Sequence, residues 1–133
     1  MNFRGAAKMK RELQFYNEIH RQRVIKIYSR MQTFDAVHQS FAYLLGLPKV
    51  YPYINGIYNF SEDCIKVDAL YKPWQTDTTL KVCRLAFNLW GYSGEVNISG
   101  DSPHLYTVNE IFDCEYIGEF IEVIRLRFPH YAP

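Results

Sequence analysis

One short block combines a large aromatic side chain with hydrogen-bonding groups, Trp74-Gln75-Thr76, and it lies just before a strongly apolar segment. The apolar segment predicts a helix over residues 79–90, with polar side chains on only a narrow strip of its surface. Backbone N–H groups at the start of a helix attract anions, so an exposed Trp beside Gln and Thr could bind a small molecule or support an enzymatic site. Two polar residues of the same helix, Arg84 and Asn88, are further candidates for this pocket.

The same block also has an architectural interpretation. Trp74 can pack as an aromatic lid, while Thr78 or one of the two residues before it caps the helix. Arg84 and Asn88 would then pair with Gln75 or a nearby carboxylate and hold the block in place, an arrangement that we call the buckle. If they face an empty cleft instead, the block is a ligand site. We favour the buckle.

A second set of candidates lies on a helix that the spacing of apolar residues predicts over residues 10–31. Beside its main apolar stripe, Phe15 and Ile19 form a smaller strip that suits a protein partner or a homodimer contact through this helix. Basic side chains on the same helix could contact an acidic partner or a nucleic-acid backbone. These basic candidates are Arg21, Arg23, Lys26 and Arg30.

The charge of the chain is unevenly distributed although its net value is only +1. Residues 1–32 carry eight basic and two acidic side chains, whereas residues 33–133 carry seven basic and twelve acidic ones. Such a division can attract an acidic partner, or the basic segment can simply rest on the acidic body. The second interpretation is preferred because the basic charges are not clustered in the sequence.

No residue spacing in the chain points to a metal, a cofactor or a catalytic group. The three cysteines and four histidines lack the spacing of zinc ligands, and two of the histidines, His20 and His38, are expected in the core. Neither a phosphate-binding glycine loop nor a nucleophile elbow is present. These absences disfavour an enzyme without excluding one.

The elements that position these residues are helical. The chain predicts an all-α fold, a compact orthogonal bundle of about five main helices joined by short turns, in one domain over residues 1–133 with residues 1–9 as a flexible lead-in. The helix over 79–90 is expected at the centre. Further helices are predicted over residues 34–45, 61–70, 107–113 and 115–128.

Two local details accompany these helices. Thr33 is predicted to cap the second helix. In the last helix, Glu122 is predicted on the outer face, and Ile117, Phe120, Ile121 and Val123 are predicted on the inner face. An odd number of cysteines favours a reducing cytoplasm. We expect no membrane association, because no apolar run approaches the roughly 18 residues that cross a bilayer.

From residue 35 onward the sequence resembles an uncharacterised family of small bacterial and prophage domains. The resemblance covers roughly residues 14–131, and its most specific blocks are Trp74-Gln75-Thr76 and Arg84-Leu85-Ala86-Phe87-Asn88-Leu89. It implies a small cytoplasmic protein of mobile elements, and it implies neither an activity nor catalytic residues.

Three functional hypotheses follow. The first is a noncatalytic protein of a mobile element that binds and modulates a host or phage protein, in defence or counter-defence. The second is a nucleic-acid-binding protein that uses the basic N-terminal helix. The third is a small-molecule or enzymatic site at the Trp74 loop.

Overall fold

Helices dominate the computed structural model, which describes residues 12–98 and 100–132. The predicted mostly helical bundle is therefore confirmed, and the segment 1–9 lies outside the described residues. None of the described helices is long and apolar enough to span a bilayer. The α-helices are α1 (Glu18–Arg30), α2 (Ala36–Leu45), α3 (Ile54–Ile57), α4 (Asp77–Trp90), α5 (Val108–Ile111) and α6 (Ile117–Arg127); the strands are β1 (Tyr58–Asn59) and β2 (Cys64–Ile65); and 3₁₀ turns cover Tyr51–Tyr53, Val67–Tyr71 and Pro103–Tyr106.

Helix α1 begins at Glu18, so its predicted start near residue 10 is wrong. Two side chains take the backbone N–H groups that a longer helix would need. The Asn17 side chain accepts the N–H of His20 at 2.8 Å, and Nδ1 of His20 accepts the N–H of Tyr16 at 2.9 Å. Both bonds favour a cap over another helical turn. The residues before the cap therefore leave the helix axis.

Residues 12–17, which we call the strap, cross the domain instead of extending α1. The Gln14 N–H donates to the Glu122 carboxylate at 2.7 Å, and the Tyr43 hydroxyl donates to the Gln14 carbonyl at 2.6 Å. The Phe15 ring packs on the Tyr43 ring, with 5.6 Å between the centroids. The strap thus connects the beginning of the described chain to α2 and α6.

Helix α2 occupies the centre of the fold, where the helix over 79–90 was expected. It packs against α1, α4 and α6, and residues 41–45 are almost completely buried. A helix that is apolar on all sides suits such a position. At its end, a Cβ on Gly46 would lie 2.7 Å from Cγ2 of Val24, so only glycine allows α1 to approach so closely.

The cap of α2 differs from the predicted residue, and the cap of α4 is one of the three residues considered for it. Asp35, not Thr33, caps α2 by accepting the His38 N–H at 2.9 Å. Thr76, not Thr78, caps α4: its hydroxyl accepts the Thr79 N–H at 3.2 Å, while the Thr79 hydroxyl accepts the Thr76 N–H at 2.7 Å. This reciprocal pair satisfies two N–H groups instead of one, which favours Thr76.

The predicted helix over residues 61–70 is wrong, because this segment forms a hairpin and a 3₁₀ turn. Tyr58 pairs with Ile65 in the antiparallel strands. The Asn59 side chain accepts the N–H groups of residues 61 and 62, which bends the chain between the strands. Asp63 then adopts a φ of 54°, in the left-handed region that ends a helix rather than continuing it.

Helix α6 buries part of its predicted inner face, since Phe120 and Val123 are completely buried, but three other positions differ from the prediction. Glu122, expected on the outer face, is only 5% exposed, because its carboxylate accepts the N–H of Gln14 in the strap. Ile117 and Ile121, expected inside, are 47% and 46% exposed. The bond to the strap thus accounts for one charged residue on the buried side of α6.

Candidate partner-binding face

Four residues of α1 lie along one side of the helix, at positions i, i+4, i+7 and i+11: Ile19, Arg23, Lys26 and Arg30. We call this set the α1 face. Ile19 is 57% exposed, and Lys26 and Arg30 are also exposed. The buried side of the same helix carries His20, Val24 and Ile27. The α1 face is therefore separate from the side of the helix that is buried in the domain.

Aromatic rings from the segment after α2 support the two arginines of the α1 face. Cζ of Arg23 lies 4.4 Å from the centroid of the Tyr51 ring, and Cζ of Arg30 lies 3.8 Å from that of Phe60. A guanidinium over an aromatic face is attracted to it and keeps its N–H groups for other acceptors. Both arginines are therefore held in place with donors that a partner can use.

The charges of the α1 face are not neutralised within the described part of the chain. No described carboxylate lies within 4.0 Å of Arg23, Lys26 or Arg30, whereas Arg21 pairs with Glu18 at 3.0 Å. Arg21 also lies on a different side of α1. Of the four basic candidates, the structure therefore groups three and separates Arg21.

The predicted pair of Phe15 and Ile19 does not form a strip, because Phe15 precedes the helix. The Phe15 ring is half-buried between His20 and Tyr43, with ring centroids 5.5 and 5.6 Å away. Ile19 alone remains available at the surface. The strap thus converts one predicted contact residue into a packing residue.

The Trp74 block lies at the N-terminus of α4, beside an open groove of about 310 Å³. The Trp74 ring is parallel to the Tyr53 ring, with 4.3 Å between centroids, and both rings line the groove. Thr76 lines it as well, whereas Gln75 points inward, where it donates to the Ala69 carbonyl at 3.0 Å. The block therefore has an architectural half and an accessible half.

Arg84 and Asn88 do not belong to that groove. Arg84 donates to the Gly100 carbonyl at 2.9 Å, and Asn88 donates to the Tyr92 carbonyl at 3.2 Å. Both side chains hold the loop that follows α4, and within the described residues neither pairs with Gln75 or with a carboxylate as the buckle required. The five predicted pocket residues are thus divided between two places.

The same loop folds around a buried carboxylate that sequence reasoning missed. Asp101 is completely buried, and its two oxygens accept hydrogen bonds from the hydroxyls of Tyr92 and Tyr106. Burial, and then the Asp101 carboxylate, raise the pKa of both tyrosines above its usual value. The short distance between these residues in the sequence is the only signal that could have indicated the cluster.

A second missed cluster surrounds His38, whose side chain is 8% exposed. Its Nδ1 lies 2.7 Å from an Asp35 carboxylate oxygen, and its Nε2 lies 2.8 Å from one of Asp63. The Tyr58 hydroxyl donates to that same Asp63 oxygen, and the ring of Trp90 contacts His38 edge-on at 4.9 Å. We call this set the His38 clasp, since it connects α2, the hairpin and α4.

The electrostatics of the clasp follow from these bonds. Partial burial favours the neutral form of Asp35. The hydrogen bonds that Asp35 accepts from the backbone and ring of His38 outweigh this effect, so the pKa of Asp35 is lowered. Burial, and then the Asp63 carboxylate, raise the pKa of Tyr58. Both ring nitrogens of His38 are occupied, so the ring has no free position for acid–base catalysis. The position of Asp35, three residues before His38, was the only feature of the sequence that could have indicated the His38 clasp.

His20 is confirmed as a core histidine. It is completely buried, its Nε2 lies 2.8 Å from the Tyr43 carbonyl, and its Nδ1 accepts the Tyr16 N–H. The carbonyl can only accept and the N–H can only donate, so the neutral ring carries its proton on Nε2. Burial lowers the pKa of His20 to about 4. This residue therefore organises the strap.

The possible metal ligands and the cysteines of the described chain do not form a common site. Across residues 12–98 and 100–132, no group of three or more His, Cys, Asp or Glu side chains could hold a metal ion. The cysteines are free, and burial raises the pKa of Cys83 to about 12, which leaves its thiol protonated and inert.

A family model matches residues 10–133, and it describes a family of unknown function, DUF6075. The chain belongs to DUF6075. No curated protein and no solved structure matches the chain. Because the match spans the α1 face, the groove and the His38 clasp, all three features lie within the DUF6075 domain.

Proposed function

We propose that this DUF6075 chain is a small noncatalytic binding protein that acts through protein–protein contacts made by its α1 face. The observation that carries the proposal is the row of Arg23, Lys26 and Arg30 beside the exposed Ile19, without a neutralising carboxylate among the described residues. Arginine and aromatic residues are enriched at the centres of protein interfaces. Arg23 on Tyr51 and Arg30 on Phe60 supply both.

A protein partner fits this face better than a nucleic acid does. An exposed isoleucine in line with the basic residues suits an apolar contact, which a phosphate backbone does not offer. The net charge of +1 also provides little general attraction to a polyanion. A homodimer through α1 would bring three basic side chains opposite their own copies, so we propose a different protein as the partner.

The setting that we propose for this binding protein is a mobile element, in phage–host defence or counter-defence. The support is the resemblance to small bacterial and prophage domains and the presence of an accessible face without a catalytic centre among the described residues. Three free cysteines fit a reducing cytoplasm. Modulation then follows from occupation of the partner's surface.

The proposal is tested by photo-crosslinking in host cells, with a benzoylphenylalanine in place of Ile19. We expect one protein adduct that disappears when Lys26→Glu is added and persists with Arg21→Glu, the matched change on the other side of α1. The same probe at Tyr131, which is 92% exposed, serves as the control position. Equal adducts from both positions, or none from Ile19, would contradict the proposal.

The nucleic-acid hypothesis makes a different prediction for the same variants. It requires a gel shift of duplex or single-stranded DNA or RNA at low salt, with a steep loss as salt rises. Alanine at Arg23, Lys26 and Arg30 would then abolish the shift. Such a result would replace a protein by a nucleic acid as the partner.

A further inference from the structure

We propose that the α1 face and the Trp74 groove are two parts of one docking surface for an acidic protein segment. Carboxylates of the segment would bind Arg23 and Arg30, and a bulky apolar side chain of the same segment would enter the groove. The inference rests on the proposed function and adds to it the chemistry of the partner. It also gives the groove a role within the same interface.

The two parts are joined by one 3₁₀ turn, Tyr51–Tyr53. The first residue of the turn lies under the guanidinium of Arg23, and the last is stacked on Trp74. Successive residues of a 3₁₀ turn rise by about 2 Å and point in directions about a third of a turn apart. Tyr51 and Tyr53 therefore face the two parts separately while their backbones stay adjacent. The exposed Pro52 lies between them.

The charges around the groove favour an apolar occupant over a free ion. Lys49 on its rim forms an ion pair with Glu115, and Asp77 on its rim lies 3.4 Å from Lys81. Each rim charge already has a partner of opposite sign, and the Tyr53 and Trp74 rings form the apolar part of the wall beside three threonines. A volume of about 310 Å³ accommodates one large side chain. The groove therefore suits an aromatic or branched aliphatic side chain.

The α1 face sets the spacing of the partner's acidic residues. Arg23 and Arg30 are seven residues apart on a helix, which separates them by about 10 Å along its axis. Carboxylates match this distance when they are seven residues apart on a partner helix, or three residues apart on an extended segment. The bulky side chain must lie beyond the carboxylate that binds Arg23, because Tyr51 connects Arg23 to the groove.

The test is a selection of peptides from a random 12-residue display library on the immobilised full-length protein. We expect the enriched peptides to combine two or more acidic residues with one bulky apolar residue. Their affinity should fall about tenfold or more with Arg23→Ala/Arg30→Ala and also with Trp74→Ala. Arg21→Ala and Tyr131→Ala, at exposed positions elsewhere, should leave it unchanged.

A measurement that keeps a tryptophan side chain at position 74 avoids any effect of the Trp74→Ala variant on folding. With fluorotryptophan in both Trp positions, peptide binding should shift the ¹⁹F resonance of Trp74 and leave that of Trp90, which packs on Phe41 in the core, nearly unchanged. Lys26→Glu, at an exposed position, should weaken binding without loss of helicity.

The outcomes separate this inference from the proposed function. If acidic peptides bind with full sensitivity to Arg23 and Arg30 but without any effect at Trp74, the joined surface is wrong and the α1 face stands. Enriched peptides without acidic residues, or no enrichment at all, would overturn the inference, while the adduct at Ile19 in cells still decides the proposed function.

Discussion

Nε2 of His38 lies 2.8 Å from a carboxylate oxygen of Asp63, a residue 25 positions further along the chain. Nδ1 of the same ring lies 2.7 Å from a carboxylate oxygen of Asp35, so one imidazole joins two carboxylates from different parts of the chain. The bond fixes the tip of the β1–β2 hairpin to the start of α2, where Asp35 caps the helix.

The first prediction concerns this bond. Asp63→Asn should lower the free energy of unfolding by about 1–3 kcal/mol, because it removes a charge-assisted hydrogen bond while asparagine still accepts a φ of 54°. Urea denaturation measures the change. A double-mutant cycle with His38→Gln should give a coupling energy on the order of 1 kcal/mol. Asp68→Asn, which removes only an exposed pair with Lys72, is the control and should change stability by less than about 0.5 kcal/mol.

The second prediction concerns pH and His20. Its pKa is about 4 in the folded protein and 6.5 in the unfolded chain, so the unfolded chain binds the extra proton first as pH falls. The free energy of unfolding should therefore be highest above pH 6.5 and fall between pH 6.5 and 4, by on the order of 3 kcal/mol. His20→Gln, which can keep both hydrogen bonds without titrating, should flatten this part of the profile.

Protonation of His20 in the folded protein should release the strap. Protonated Nδ1 cannot accept the Tyr16 N–H, so hydrogen exchange at that amide should accelerate as pH falls to about 4 and below, where the folded ring binds its proton. An exchange rate that is independent of pH, after correction for intrinsic chemistry, would show that His20 does not hold the strap.

The third prediction separates binding from stability on the α1 face. Arg30→Ala removes a cation–π contact with Phe60, so thermal denaturation should show a loss of less than about 1 kcal/mol. Lys26→Glu should be nearly neutral, because its side chain is exposed. If either variant lowers the free energy of unfolding by much more than this, the α1 face is a packing surface and not a binding surface.

The fourth prediction concerns the close approach of α1 and α2. Gly46→Ala would place a Cβ 2.7 Å from Val24, and it should lower the free energy of unfolding by about 1–3 kcal/mol. Val24→Ala should be less harmful in the Gly46→Ala background than in the original chain. Gly118→Ala in α6, where a Cβ meets nothing within 4 Å, is the matched control and should stabilise by up to about 1 kcal/mol.

Local patterns in the sequence were sufficient to predict the main helices and some of their ends. The apolar run that ends at Trp90 is followed by Gly91, and α4 indeed ends there with Gly91 at a φ of 119°. Thr107 likewise caps α5 by accepting the Glu110 N–H. These features depend on residues within one or two turns of each other, so helical periodicity and capping preferences predict them.

The sequence by itself thus determined a mostly helical domain and the residue types of the α1 face. Tertiary structure alone decided the path of the strap, the burial of Glu122 and the aromatic contacts that support the α1 face. The reason is that Glu122 bonds to Gln14 across 108 positions, and that Tyr51 and Phe60 reach back to α1. Contacts at such separations leave no periodic signal in the chain, because they depend on how the helices pack and not on the order of neighbouring residues.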